Sequence, residues 1–373
     1  MPLVGPDEVP AADALVLTGP RRLERRSLRL PPPAPDRALL RVEACGLCGT
    51  DHEQYTGVLA APAPFVPGHE IVGTLEQLGP TLADQWGVTA GQRVALEVFK
   101  SCGRCAACRA GVYRRCEAHG LATMHGFLGV DHGSGLWGGY STHVDLGPDD
   151  LVLPVPDGLS PVDATLFNPV GAGIRWGATL PGTGPGDVVA VLGPGIRGLA
   201  VAVAAKEAGA DFVMMTGLGP ADADRLDLAA RFGVDLAVDS ARDDPRRQLL
   251  EATGGLASVV VDVTAAAPAA FAQAVALAAP GARLVVAGTR GGGGAPGFEP
   301  DHLVFKELTV IGSLGVDAPA YEAALSLLAS GRWPFGDVPR RVVGFDDAAN
   351  LLESMAGEDG AGVRPVHGVI EPR

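Results

Sequence analysis

Positive charge is in short supply in this chain. Lys and Arg total 29 against 43 Asp and Glu over 373 residues, a net charge of −14. A nucleic-acid partner needs a positive surface to neutralise phosphates, so that class is set aside. Missing too is any apolar run long enough to cross a bilayer, and the opening stretch MPLVGPDEVPAADAL is too polar and too proline-rich for a secretory signal. No membrane partner and a cytoplasmic, reducing location are therefore expected. There is no repeat at a fixed period and no low-complexity tail. What remains is an ordinary globular composition, 47% hydrophobic and 19% charged, in a chain long enough for two domains.

Cysteine is scarce as well, with six in all, yet four fall in SCGRCAACRAGVYRRC (101–116). The spacing is Cys102-x2-Cys105-x2-Cys108-x7-Cys116. In a reducing compartment such clusters are metal ligands more often than disulfides. Four thiolates on a turn-rich loop satisfy tetrahedral zinc. An iron–sulfur run would have a shorter last gap followed by proline, and here Cys116 precedes Glu117. A closed structural zinc site is expected, one that ties a lobe together and does no chemistry.

The pattern changes along the chain. Up to about residue 165 short β-rich runs are punctuated by Gly and Pro, as in ALLRVEACG (38–46), HEIVGTLEQLG (69–79) and QRVALEV (92–98). From Gly186 apolar strands alternate with Ala-rich helices, which predicts a six-stranded parallel sheet covered on both faces, an α/β architecture. The strands are expected at 188–193, 212–217, 235–239, 258–263, 283–288 and 308–313, with helices at 196–209, 224–233 and 267–281. The stretch 290–302, RGGGGAPGFEPDH, reads as a loop, and a last helix is expected at 318–331.

Between the first of these strands and its helix lies GPGIRG, with Gly193, Gly195 and Gly198 in G-x-G-x-x-G spacing. In a strand–turn–helix context this is a dinucleotide fingerprint: the glycines allow close approach to the diphosphate and the helix N-terminus favours the anion. Ile196 and Arg197 fall inside it, and Thr264 and Gly288, after later strands, are assigned to the cofactor with them. Cofactor choice sits at the end of the second strand, where an acidic residue would grip the ribose 2′-hydroxyl of NAD. Here that place holds Gly217, followed by Arg225 able to pair with a 2′-phosphate, so NADP(H) is expected over NAD(H).

The N-terminal half also carries ACGLCGTDHEQY (44–55) and PGHEIVG (67–73). Cys48, His69 and Glu70 would make a three-ligand zinc site with an open position, the arrangement of a Lewis-acid catalyst. With C-G-x-C-G-T-D at 45–51, G-H-E at 68–70, the four-cysteine lobe and G-x-G-x-x-G in this order, the chain resembles the medium-chain, zinc-dependent alcohol and polyol dehydrogenases from about residue 25 to its end. The resemblance implies a GroES-like catalytic domain over 1–168 with the lobe at 101–116, a Rossmann domain over 169–312, and a segment 313–373 that returns to the first. It implies hydride transfer between nicotinamide C4 and an alcohol, aldehyde or ketone carbon in the cleft, with Cys48 and His69 on the catalytic zinc, Thr50 taking the substrate proton and Asp51 behind the ligands. Cys45 reads as packing.

Three departures from the family pattern stand out. The relay position five residues after the zinc cysteine is Glu53, with His52 before it, and either could end the relay. The third-ligand position holds Asn168, before Pro169, and a neutral amide is a weak zinc ligand. The acidic NAD selector is Gly217. Rival readings are a zinc-free NADPH-dependent double-bond reductase of the same superfamily and a non-catalytic nucleotide or redox sensor. His125, Phe127 and Trp137 are candidate pocket residues that could equally be scaffold. A homodimer or homotetramer is expected, with the strand 308–313 able to pair with its copy.

Overall fold

The computed structural model describes residues 10–59, 64–265, 267–290, 293–360 and 364–373. The first residues of the expected N-terminal domain (1–9) and residues 291–292 of the expected glycine loop lie outside these. The chain divides into two units, one formed by Met1–Leu166 with Pro339–Arg373 and the other by Phe167–Val338.

The first unit is built on a seven-stranded sheet. Its strands run in the order Arg340–Val343, His367–Ile370, Ala38–Gly46, Glu70–Leu78, Arg93–Leu96 and Val152–Pro154, with His143–Leu146 also paired to Ala38–Gly46. Pairing is antiparallel except between the two C-terminal strands. Leu40, Ile71, Leu75, Leu96 and Leu146 are fully buried in its core, each contributing ~1.5–3 kcal/mol by leaving water. A hairpin of Ala11–Gly19 and Arg22–Arg29 accompanies it. Helix α1 (Gly49–Thr56) begins at Cys48 and stops at Gly57, whose φ of 80° is the left-handed conformation glycine adopts at little cost.

The second unit holds the six-stranded sheet expected from the apolar runs. The order is Leu236–Asp239, Phe212–Gly217, Val188–Leu192, Ala257–Asp262, Ala278–Val286 and Thr309–Gly312, parallel throughout. The first βα turn therefore lies where the strand order reverses, the place at which doubly wound sheets bind ligands. Helices α2 (Phe167–Ile174), α3 (Ile196–Glu207) and α4 (Ala318–Ala329) pack together beside it. Glycine makes the α2–α3 contact possible: a Cβ on Gly173 would stand 2.4 Å from the carbonyl carbon of Ala200.

Two expectations give way here. Residues 313–338, expected to rejoin the first domain, belong to the second unit. The cause is the buried face of α4, where Tyr321 meets Phe167 edge to face at 4.9 Å and Asp317, at the helix start, pairs with Arg175 at 3.0 Å. Only from Pro339 does the chain rejoin the first unit. The helix expected over 267–281 is shorter, Ala270–Leu277, and a strand starts at Ala278. Pro280 accounts for it, since the residue before a proline is pushed out of helical geometry.

Candidate functional site

Two clusters of metal-ligating side chains stand out among the described residues, each with its donor atoms within 4.8 Å of one another. One is Cys102, Cys105, Cys108 and Cys116. The short helix Ala106–Arg109 starts on Cys105, whose sulfur accepts the Cys108 N–H, and the Cys102 and Cys108 sulfurs are 3.9 Å apart, far beyond a disulfide bond. Backbone N–H groups of Glu117 and Cys108 hold the Cys105 thiol down at about 6. Burial pushes Cys108 up to about 11, so one member is poised as thiolate while another resists ionising until a cation arrives. Tyr113 anchors the lobe by donating its hydroxyl to the fully buried Glu97.

The second cluster is Cys48, Asp51 and His69. Cys48 caps α1: its sulfur accepts the Thr50 N–H at 3.4 Å, and Asp51 Oδ2 accepts the Cys48 N–H at 2.8 Å. A thiolate at a helix N-terminus is favoured by the helix dipole. His69 arrives from the opposite side, at the start of the strand Glu70–Leu78. Gly68 before it has φ 91°, and a Cβ there would run into the Tyr140 ring at 2.5 Å and the Cys45 sulfur at 2.8 Å. His69 Nδ1 lies 3.8 Å from Asp51 Oδ1, both atoms buried and without a hydrogen-bond partner among the described residues. Burial pulls the His69 imidazolium down, yet the negative charges of Asp51, Cys48 and Glu70 outweigh it and set His69 at about 9. A half-buried thiol beside a buried carboxylate and imidazole with orphaned polar atoms forms a cation-seeking hole, and zinc suits that donor set.

The other predicted site residues are placed as follows. Glu70 is buried, with Oε2 packed over Gly46, where a Cβ would meet it at 2.6 Å; the compact donor cluster contains Asp51 and not Glu70. Cys45 is fully buried between Gly68 and Gly139, and burial raises its thiol well above the usual range. Thr50 stands in the first turn of α1. His52 pairs with Glu358 at 3.0 Å, whereas burial raises the Glu53 carboxyl. The Phe127 ring lies 6.1 Å from that of His69. His125 is buried on Asp150 at 2.8 Å, and Trp137 carries Lys100 over its ring at 4.7 Å.

In the second unit Gly193 has φ 104°, and a Cβ on Gly198 would stand 1.8 Å from the Gly193 oxygen. At Gly195 a Cβ would meet no protein atom within 4 Å, so this face of the turn is open to a ligand. Ile196 and Arg197 open α3, whose N-terminus has no side-chain cap. Thr264 packs over Gly193, and a Cβ on Gly288 would meet the Thr264 oxygen at 1.7 Å, so these residues gather at the carboxyl ends of the strands. Gly217 ends its strand against Asp222 and Leu226, while Arg225 Nη1 lies 3.7 Å from Asp222 Oδ1.

Sequence reasoning missed Tyr140, and it named Asn168 without its partner Tyr321. Tyr140 is fully buried, with a hydroxyl that has no hydrogen-bond partner among the described residues. Burial and then the charge of Asp51 raise its hydroxyl well above the usual range, which puts it beside the second cluster. Asn168 is held by Tyr321 and Arg197. Only the tight G-G-Y run hinted at Tyr140, and nothing local to Asn168 betrays its partners.

A parallel sheet with a glycine turn at its switch point, a mixed-β unit and two zinc-type clusters define a zinc-binding, dinucleotide-linked dehydrogenase. Comparison with known proteins narrows the class. Residues 34–157 match the alcohol dehydrogenase GroES-like domain, and residues 198–330 match the zinc-binding dehydrogenase domain. A probable alcohol dehydrogenase of Mycobacterium tuberculosis is 66% identical over 96% of this chain and 98% of its own. The sorbitol dehydrogenase of Bacillus subtilis is 31% identical over 85% of this chain and 86% of its own. A zinc-binding dehydrogenase of Sinorhizobium meliloti 1021, solved bound to NADP, superposes with a TM-score of 0.82 at 27% identity, covering 97% of this chain and all of that one. The chain belongs to the medium-chain, zinc-type alcohol dehydrogenases, NAD(P)-linked oxidoreductases acting on the CH–OH group of small-molecule substrates.

Proposed function

We propose that Cys48 and His69 hold the catalytic zinc of this dehydrogenase and that Cys102, Cys105, Cys108 and Cys116 hold a structural one. The observation that carries the catalytic assignment is the pair of orphaned buried atoms, Asp51 Oδ1 and His69 Nδ1, beside the Cys48 thiol. A buried polar atom without a partner costs ~1–3 kcal/mol, a penalty that a bound cation relieves. The third donor is a carboxylate. Glu70 is the expected one, and Asp51 is the alternative favoured by its place in the compact cluster.

When bound, zinc supplies Lewis acidity toward an alcohol or carbonyl oxygen, and the nicotinamide supplies the hydride acceptor or donor. The chain's own residues do the rest. The N-terminus of α1 favours a thiolate at Cys48, and the Asp51 carboxylate, 3.8 Å from His69 Nδ1, adds negative charge beside the imidazole. Thr50 takes the hydroxyl proton of the alcohol, and Glu53 or His52 passes it on. Gly193, Gly195, Ile196, Arg197, Gly198, Thr264 and Gly288 bind the dinucleotide.

NADP(H) is the preferred cofactor in this reading. It is supported by the absence of a carboxylate at Gly217, by Arg225 nearby, and by the NADP bound to the Sinorhizobium meliloti relative. The enzyme acts as a homodimer or homotetramer. Support comes from the edge strand Thr309–Gly312, flanked by exposed Val304, Phe305 and Leu314 with Val310 on it. The four-thiol lobe, read as zinc-bound, fits a reducing, cytoplasmic setting.

The test is alcohol-dependent NADP⁺ reduction over a panel of alcohols, with wild type and Cys48→Ser. Turnover in wild type that Cys48→Ser abolishes, with cofactor binding retained, supports the proposal. Full activity in the variant refutes zinc chemistry at this site, and no turnover on any alcohol in wild type favours the sensor.

A further inference from the structure

Of the three side chains expected at the pocket, the structure sends one to the Cys48–His69 cluster and commits the other two elsewhere. His125 is 1% exposed and held by Asp150. The Trp137 indole N–H donates to the His132 oxygen at 2.7 Å, and Lys100 lies over the indole ring. Phe127 instead sets its ring centroid 6.1 Å from that of His69, at a tilt of 47°, which is aromatic contact.

This placement is built into the backbone from both sides. Gly126, with φ 79°, lies so close to the residue before His69 that a Cβ on it would stand 2.8 Å from the Gly68 oxygen. From the other side Gln54 of α1, 3% exposed, donates Nε2 to the Gly126 oxygen at 3.0 Å. The two elements that bring in Cys48 and His69 therefore both grip residue 126, and Phe127 follows it directly. The same stretch is tied further by the Gly126 N–H to the Trp137 oxygen at 2.7 Å and the His125 N–H to the Val98 oxygen at 3.1 Å.

Burial shows on which side the cluster opens. Asp51, Gln54, His69, Glu70 and Tyr140 are buried, whereas Cys48 and Phe127 are only partly so. A sulfur and an apolar ring thus flank the accessible side. Polar side chains nearby have other duties. Asp51 accepts the Cys48 N–H, His52 pairs with Glu358, and Thr50 and Glu53 serve the reacting hydroxyl and its proton. Further hydroxyls on a substrate would lose water against a phenyl ring that offers no hydrogen bond in return, while a carbon chain gains from the same contact.

We propose that Phe127 is a specificity-determining residue, the wall of the first unit on which the substrate's carbon chain rests, and that the substrates are alcohols with an apolar aliphatic or aromatic chain rather than polyols. The proposal rests on reading Cys48 and His69 as ligands of the catalytic zinc.

The experiment measures kcat/KM of the zinc-loaded full chain at saturating nicotinamide cofactor for the straight-chain alcohols from ethanol to 1-octanol, for benzyl alcohol and for xylitol. In wild type kcat/KM should rise about two- to fourfold with each methylene until the chain passes the ring, the scale of burying one methylene. Benzyl alcohol should rank with the longer chains, and xylitol about a hundredfold below 1-hexanol. Phe127→Ala should flatten the rise with chain length. Phe127→Leu, which keeps an apolar wall, should retain part of it, and it decides alone if the alanine variant does not fold. General damage to the fold would lower all alcohols by one factor and keep the slope, so a wild-type slope in the variants overturns the proposal. So does xylitol matching 1-hexanol in wild type, or one zinc fewer per chain in both variants, which would make Phe127 a support of the metal site. In those cases the dehydrogenase reading stands; no turnover of any alcohol by wild type would overturn that reading and the proposal with it.

Discussion

Acidification should unlock the C-terminal end of the first unit through one imidazole, that of His367. The residue is 1% exposed at the start of the strand His367–Ile370, opposite Arg340 in the neighbouring strand. Arg340 Nε donates to His367 Nδ1 at 3.0 Å, so that nitrogen must be an acceptor. The Thr165 hydroxyl donates to the Val162 oxygen at 2.8 Å and lies 3.0 Å from His367 Nε2, so Nε2 carries the proton. The folded state thus requires a neutral ring. Burial, then the Arg340 charge, bring His367 down to about 3, with Asp163 opposing weakly.

An unfolded histidine titrates near 6.5, so between that value and about 3 the unfolded chain holds more protons than the folded one. The stabilisation from the neutral ring is whole above pH 6.5, drains away as pH falls through this window, and stops changing below it. From pH 7 to 4.5 the loss is about 2.5 kcal/mol, at ~1.36 kcal/mol per pH unit below the unfolded value. Urea unfolding at both pH values, for wild type and His367→Asn, reads it out. Asparagine still accepts from Arg340 but cannot titrate. The wild-type advantage over the variant should shrink by about 2.5 kcal/mol on acidification. Parallel losses in the two proteins would refute a neutral, buried His367.

Arg225→Met should raise the KM for NADP⁺ about tenfold while leaving that for NAD⁺ within twofold, the cost of one charge-assisted phosphate contact; steady-state kinetics with both cofactors decides, and equal effects would remove Arg225 from cofactor choice. Asp51→Asn and Glu70→Gln separate the third donor: the variant at the liganding carboxylate should lose one zinc per chain by elemental analysis, and the other should keep it. Phe305→Glu should shift the mass measured by light scattering toward that of the monomer, since a charge placed among Val304, Val310 and Leu314 opposes burial of that edge; an unchanged mass would move the interface elsewhere.

Local pattern made much of this protein legible. The six apolar strands and the Gly193–Gly198 turn obey period and turn rules that need only a few neighbouring residues. The lobe cysteines are close in sequence, so their spacing alone brings four sulfurs together. Cys48 and His69 come from separate segments, and only their motifs suggested that they meet. Long-range partners decided the rest. Tyr321, which holds Asn168, lies 153 residues further on, and Arg197 lies 29 residues on. The boundary expected at 313 moved to 339 because Tyr321 and Asp317 find their partners in the second unit. His367 gave no signal, because a lone histidine near a chain end reveals neither its burial nor Arg340 beside it.

Zinc per chain, by elemental analysis of protein purified without chelator, tests the central claim most directly. Two zincs in wild type, falling to one in Cys48→Ser, are the predicted result: the four thiolates of the lobe keep theirs, and the Cys48–His69 site loses its own. One zinc in wild type, unchanged in Cys48→Ser, would contradict the account and leave the lobe as the only metal site of the chain.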